Sequence, residues 1–240
     1  MGKIDTVLFD LDGSLLPMDQ DVFVRLYMGA LGRTFAEEGF EPKKLTSSVW
    51  KGVQAMVEND GSISNRDRFW KEFSGAMEQE MADREPHFVK FYENQFGESK
   101  ASTKLQPLAA EAVRLFRDKG YTVILATNPL FPTVATYRRM RWAGLSPEDF
   151  HLVTTYEEER YCKPNLKYYM SILERFKKKP EQCMMVGNDV DEDMCVVSMG
   201  MSGYLLTDCL INRSGRPLEG FLSGDFQSFY QYAERMPSLL

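Results

Sequence analysis

The chain has 240 residues, 43% hydrophobic and 27% charged, which is an ordinary soluble composition with length enough for a buried core in one or two domains. Its formal charge is −6 and its basic residues form no patch, the run "FKKKP" reading as a solvated helix end, so nucleic-acid binding is disfavoured and a phosphorylated anion would need a cation beside it. No apolar run approaches the roughly 18 residues of a membrane span and no basic-then-apolar leader opens the chain, so a cytoplasmic protein with no membrane partner is expected.

Taken in order, the first element is a short apolar run, Thr6 to Phe9, that predicts a buried strand ending on Asp10 and Asp12, with Gly13 directly after. From Met18 to Ser102 the rhythm is helical throughout. Val22, Phe23, Leu26, Tyr27, Ala30, Leu31 and Phe35 recur at helical spacing, and so do Leu45, Val49, Val53, Met56 and Val57. Asn65 is read as the N-cap of a third helix carrying Phe69, Trp70, Phe73 and Met77, and a fourth helix follows Pro86.

From Pro107 helices and strands alternate. "YTVILAT", "HLVTT", "CMMVGND" and "GYLLT" read as strands, with helices between them, a short helix over "DEDMCVVSMGM" and a last one over "DFQSFYQYAERM". Such alternation predicts an α/β fold, a three-layer Rossmann-like parallel sheet covered on both faces. A crossover needs only a dozen or so residues, and about 100 separate the first strand from the second. The helical stretch 18–102 is therefore expected to be an inserted all-helical domain, and 1–17 with 103–240 the discontinuous core.

In such sheets ligands bind beyond the carboxyl ends of the strands. Four of those ends, or the loops just after them, carry unusual residues: Asp10 and Asp12; Thr127 and Asn128; Lys163 before Pro164, in the loop after the third strand; and "GNDVDED", with Asn188, Asp189 and Asp193. The four cysteines show no CxxC spacing and Cys183 and Cys195 sit in apolar surroundings, as in a reducing compartment. The two histidines, His87 and His151, stand in no motif, which argues against a zinc site or a Ser-His-Asp triad and leaves acid–base chemistry to carboxylates.

Together, "DLDGSL", the threonine of "LATN", the lysine of "CKPN" and "GNDVDED" resemble, in order and placement, the four motifs of the haloacid dehalogenase superfamily in its phosphatase branch, and the helical insertion sits where that family's cap enters. The resemblance implies a Mg²⁺-dependent phosphatase acting on a small phosphorylated metabolite. By it, Asp10 is the nucleophile that forms an aspartyl phosphate, and Asp12 is the general acid and then base. Lys163 pairs with Asp10 and the phosphate, and Thr127 with Asn128 binds phosphoryl oxygens. Mg²⁺ is held by Asp10, the Asp12 carbonyl and Asp189, with Asp193 a ligand or a support to one; Asn188 stands where the family often has an acid, so which of Asn188, Asp189 and Asp193 ligates directly stays open. Asp191 and Glu192 read as a solvated first turn, and Ser14 as a backbone-capping hydroxyl. Arg66 and Arg68 are the insertion's candidate substrate-binding cations, against a plainer reading as surface charge. A phosphosugar mutase shares the aspartates; a C–halogen hydrolase lacks the second one; a phospho-acceptor signalling module lacks the DxDG sequence and an insertion of this size.

Overall fold

Strand β1 (Thr6–Phe9) lies inside a six-stranded sheet of order β3-β2-β1-β4-β5-β6. The computed structural model describes residues 4–240, so the first three residues of the expected 1–17 segment lie outside the described residues. The other strands are β2 (Thr122–Leu125), β3 (Leu152–Val153), β4 (Cys183–Gly187), β5 (Ser202–Leu206) and β6 (Leu222–Gly224), and every neighbouring pair is parallel. The residues of β1 are buried on both faces, as a central strand of a parallel sheet requires. Val7 and Phe9 face helices α5 (Pro107–Asp118) and α8 (Phe226–Arg235), where the Phe9 ring meets Phe116 and Phe229 edge-on at 5.9 Å each. Leu8 turns the other way, into a second cluster with Ile124, Met185 and the tyrosines of α7 (Leu166–Phe176). On either side of β1 the chain order runs in opposite directions, which places the switch point of the sheet between β1 and β4.

Four α-helices occupy the stretch between β1 and β2: α1 (Gln20–Ala36), α2 (Pro42–Val57), α3 (Asn65–Met77) and α4 (Glu85–Glu93), followed by a 3₁₀ segment, Gln95–Ser102. Their shared interior is aromatic, with Phe35 stacked on Phe88 at 4.2 Å and Trp70 and Phe73 edge-on to Phe88. The two connections to the sheet run side by side: Met18 and Thr103 form an antiparallel bridge, Asp19 N donates to Ser102 O at 3.1 Å, and Lys104 N to Pro17 O at 2.9 Å.

The structure departs from the sequence reading at a few points. The cap of α3 is Ser64, whose hydroxyl accepts from Asp67 N at 3.0 Å; Asn65 is the first helical residue, fully buried. The short helix expected after Asp193 is a 3₁₀ segment, Met194–Met199, and β6 is a strand the sequence did not reveal because its three residues neither alternate nor form an apolar run. All four cysteines are free thiols, and no helix among the described residues is long and apolar enough to cross a membrane.

Candidate active site

The carboxyl ends of β1, β2 and β4 are held level by the ladder: Phe9 pairs with both Leu125 and Val186, and beyond it Asp10 N donates to Val186 O at 2.9 Å while Ala126 N donates to Phe9 O at 2.8 Å. That register brings Asp10, Thr127 and the Gly187–Asn188 step to one rim. After Asp12 the chain turns sharply, with Gly13 N donating to Leu16 O and Gly13 at φ +86°. A side chain there would be strained, and its Cβ would run into the Asn188 amide. Asn188 uses the space: its Oδ1 accepts from the Ser14 hydroxyl at 2.8 Å and its Nδ2 donates to Cys209 O at 2.6 Å. Ser14 thus secures a side chain rather than a backbone group. Gly187 serves a parallel purpose, since a Cβ there would strike the Asp193 carboxylate.

Lys163, with 1% of its side chain exposed, bridges two acids. Its Nζ donates to Asp10 Oδ1 at 2.9 Å and to Asp193 Oδ1 at 2.6 Å. Burial alone would pull the lysine pKa down, but Asp10 and Asp193 hold it well above its ordinary value. Burial pushes Asp193 up, with Lys163 pulling the other way. Asp193 Oδ2 also accepts from Asp189 N at 3.0 Å, so this carboxylate faces inward, braced by the lysine. Asp189 Oδ1 caps the next turn by accepting from the backbone of Asp191 and Glu192, and its Oδ2 lies 2.9 Å from Nη1 of the exposed Arg213.

Thr127 is buried at the cavity wall, and its carbonyl accepts from the Thr154 and Tyr168 hydroxyls at 2.7 and 3.0 Å. The Asn128 amide accepts from Lys163 N at 3.2 Å and donates to Glu192 Oε2 at 3.0 Å. Glu192, read from sequence as part of a solvated turn, instead lines the cavity, and burial raises its pKa.

Arg139 was not visible in the sequence as a site residue. It lies on α6 (Thr133–Trp142), whose inward face is Ala135, Thr136, Arg139 and Met140. The guanidinium is 1% exposed, pairs with Asp12 Oδ2, and sits 4.3 Å from the Phe131 ring centroid. Burial raises the Asp12 pKa although Arg139 opposes it, and Asp12 Oδ1 is a buried oxygen with no hydrogen-bond partner. One signal existed: 135, 136, 139 and 140 share a helical face, yet arginines at 138, 139 and 141 left the inward one unmarked. Arg213, in an irregular loop, gave none.

Arg66 and Arg68 do not line the cavity. Arg66 holds Glu85 with both its Nε and an Nη, and Arg68 is spent on Asn59, Asp60 and Ser62 in the loop that precedes its helix. The flanking Asn65 instead ties the insertion to the core, with Nδ2 within 3.3 Å of both Tyr161 O and Cys162 Sγ.

All of this forms the floor of a cavity of about 320 Å³ that opens toward the insertion and is lined at its base by Asp10, Asp12, Thr127, Asn128, Asp189 and Asp193. Among the described residues no three His, Cys, Asp or Glu side chains already converge as a metal cage. The donor set still fits a small hard cation, which takes one or two carboxylates and leaves other positions to water and substrate. Asp10 and Asp189 both face the cavity, and the donors are oxygens throughout. At this end of the cavity the acids (Asp10, Asp12, Asp189, Glu192, Asp193) outnumber the bases (Arg139, Lys163, Arg213), so added positive charge is favoured there.

Comparison with known proteins gives the family. Residues 4–194 match the haloacid dehalogenase-like hydrolase family. A glyceraldehyde 3-phosphate phosphatase from Methanopyrus kandleri is 27% identical over 192 residues, which cover 80% of this chain and 78% of that protein. The crystal structure of a HAD phosphatase from Thermococcus onnurineus superposes with a TM-score of 0.60 at 17% identity, covering 98% of this chain and 100% of that one. That of the HAD-hydrolase YfnB from Bacillus subtilis, bound to magnesium, gives 0.59 at 16%, covering 97% and 100%. With the match running from the first strand through the Asp189–Asp193 turn, the chain belongs to the haloacid dehalogenase-like hydrolases.

Proposed function

We propose that the protein is a Mg²⁺-dependent phosphatase that hydrolyses a small phosphorylated metabolite through an aspartyl phosphate on Asp10. The observation that carries this reading is the pair of contacts by which one buried lysine joins Asp10 to Asp193 at the cavity floor that Asp12, Thr127 and Asp189 also line. Lys163 holds Asp10 aimed by their 2.9 Å hydrogen bond, and its charge meets the incoming phosphoryl oxygens, which the Thr127 hydroxyl and Asn128 amide also reach. Arg139 holds Asp12 by Oδ2 and leaves Oδ1 for the proton that passes to the leaving oxygen, and later comes from the attacking water. The raised pKa of Asp12 suits that first role. Asp10, Asp189 and the Asp12 carbonyl would hold the cation, with Asp193 as a support through Lys163 and the Asp189 backbone; when bound it offsets the charge of the phosphate and the carboxylates around it. The names of the Methanopyrus and Thermococcus relatives support the phosphatase branch. The helices over 18–102 are read as a lid that excludes water, and the core as 1–17 with 103–240.

The test is phosphate release from p-nitrophenyl phosphate. Release should need Mg²⁺ and stop in excess chelator, and Asp10→Asn should abolish both release and any phosphate adduct by intact-mass spectrometry. Asp12→Asn should form the adduct and lose it slowly, by a factor of about 10² to 10⁴. Full activity in chelator, or in Asp10→Asn, overturns the reading.

A further inference from the structure

The wall of the cavity opposite the catalytic floor is built almost wholly from hydrocarbon. Helices α1 to α4 all contribute to it, with Phe23, Met28, Val53, Trp70 and Phe88 among the lining side chains, and Trp50, 48% exposed, stands at its edge. Most polar groups that reach this wall already have partners, the exceptions being the Gln20 amide N–H and the second proton of a tyrosine pair. The Tyr27 and Tyr92 hydroxyls share a hydrogen bond of 2.8 Å. The Trp70 indole N–H points at Tyr156 Oη at 3.4 Å, Tyr156 donates to Glu85 at 3.0 Å, and Arg66 holds Glu85 from behind. Glu85 is the one charged residue that α1 to α4 contribute to the lining, and they contribute no cation.

This wall rejects two kinds of substrate tail. A polyol or triose would bury several hydroxyls where only the Gln20 amide N–H and one tyrosine proton stay free, so most would lose hydration without replacement. A second phosphate or a carboxylate would find no cation at the far end and would face Glu85. A hydrocarbon group would instead leave water for a concave apolar surface of the size that binds small ligands. Resting on the phosphatase reading above, we propose that the substrate is the phosphate monoester of an apolar alcohol with a ring-sized hydrocarbon group, and not a sugar or triose phosphate.

The test uses the full chain with Mg²⁺ and three esters of primary alcohols, so that the leaving groups are alike: 2-phenylethyl phosphate, glycerol 3-phosphate and glyceraldehyde 3-phosphate. The expected kcat/KM for 2-phenylethyl phosphate is at least about tenfold above either polar ester. 2-Phenylethanol should also inhibit release from p-nitrophenyl phosphate where glycerol does not. Two half-buried positions in the wall probe the cause: Val53→Thr and Met28→Gln should each reduce the preference for the phenylethyl ester over glycerol 3-phosphate by about threefold or more. If p-nitrophenyl phosphate is hydrolysed but either polar ester matches or exceeds the phenylethyl ester, the inference falls and the phosphatase reading stands. If p-nitrophenyl phosphate is hydrolysed but none of the three esters is, the inference alone falls; if none of the four releases phosphate, both fall. A preference that neither wall variant reduces also overturns the assignment of the tail to this wall.

Discussion

At the scale of single residues the site is a set of charges that balance only in pairs. Arg139 is the sharpest case, a guanidinium with 1% of its side chain exposed whose one carboxylate partner is Asp12. An arginine does not deprotonate in a protein, so removing that partner strands a buried cation. Asp12→Asn should therefore lower stability by about 3 kcal/mol, on the order of 10 °C in melting temperature for a chain of this length, apart from any effect on catalysis. Arg139→Met should cost less, because Asp12 opens on the cavity and can take up a proton. The double variant should be more stable than Asp12→Asn alone, since the methionine leaves no charge to strand. Thermal unfolding of the three variants checks this. A melting temperature for Asp12→Asn within about 2 °C of the parent, or a double variant that melts lowest, would show that the pair does not hold Asp12 in the folded protein.

Among the elements, the loop between β3 and α7 joins sheet, lysine and insertion. It carries Lys163, and its carbonyls at Tyr156 and Glu159 accept from Arg66 N and Asn65 N at 2.8 Å each, satisfying the otherwise unpaired first amides of α3. The Glu159 side chain is buried beneath this junction, with Arg175 of α7 2.9 Å away. Burial raises its pKa above the usual carboxylate range, with Arg175 only partly offsetting the effect. The sign follows from linkage: the folded state holds this proton more tightly than the unfolded state, so the contribution of Glu159 to stability is greatest at low pH and declines as pH climbs past the ordinary carboxylate value. The melting temperature of the parent minus that of Glu159→Gln should fall between pH 5 and pH 8. A difference that rises over that range would mean the ion pair outweighs burial. This junction also marks how far the sequence could be read. An apolar strand running into carboxylates is a local signal, and it pointed to Asp10, Asp12, Asp189 and Asp193, whereas Thr127 and Lys163, the latter in the loop after β3, stood out by motif order. Arg139, Glu192, Glu159 and the true cap of α3 depend on which side of an element meets which loop, and that is fixed by packing between segments far apart in the chain.

For the whole molecule, the question is what the helical insertion contributes beyond cover. Its two connections are already hydrogen-bonded as an antiparallel pair, so Asp19 and Ser102 lie side by side and a two-residue turn can join them. The sheet with α5 to α8 retains the whole cluster around Leu8 and its share of the cluster around Phe9, which runs on into the insertion through Phe23 and Tyr27. What it loses includes the hydrogen bonds of Asn65 and Arg66 to the β3–α7 loop, the stacking of Phe96 on Trp142, and the aromatic contact at Phe131, whose ring meets Phe23, Tyr27 and Phe96 of the insertion at 6.1, 5.6 and 6.1 Å. Replacing residues 20–101 with Asn-Gly should thus leave a less stable chain with the catalytic floor intact and the apolar wall gone. Closing a site over its substrate excludes water and lends binding energy from the tail to the reacting end. The shortened chain should therefore hydrolyse p-nitrophenyl phosphate slowly, yet treat 2-phenylethyl phosphate and glycerol 3-phosphate alike within about twofold, the hydrocarbon term having gone with the wall. The comparison is made on protein that shows a cooperative thermal transition, so that loss of fold is not mistaken for loss of the lid. If such protein keeps the full parent's ratio between the two esters, selectivity resides in the core around Thr127 and Asn128, and the insertion serves only to shield the floor from water.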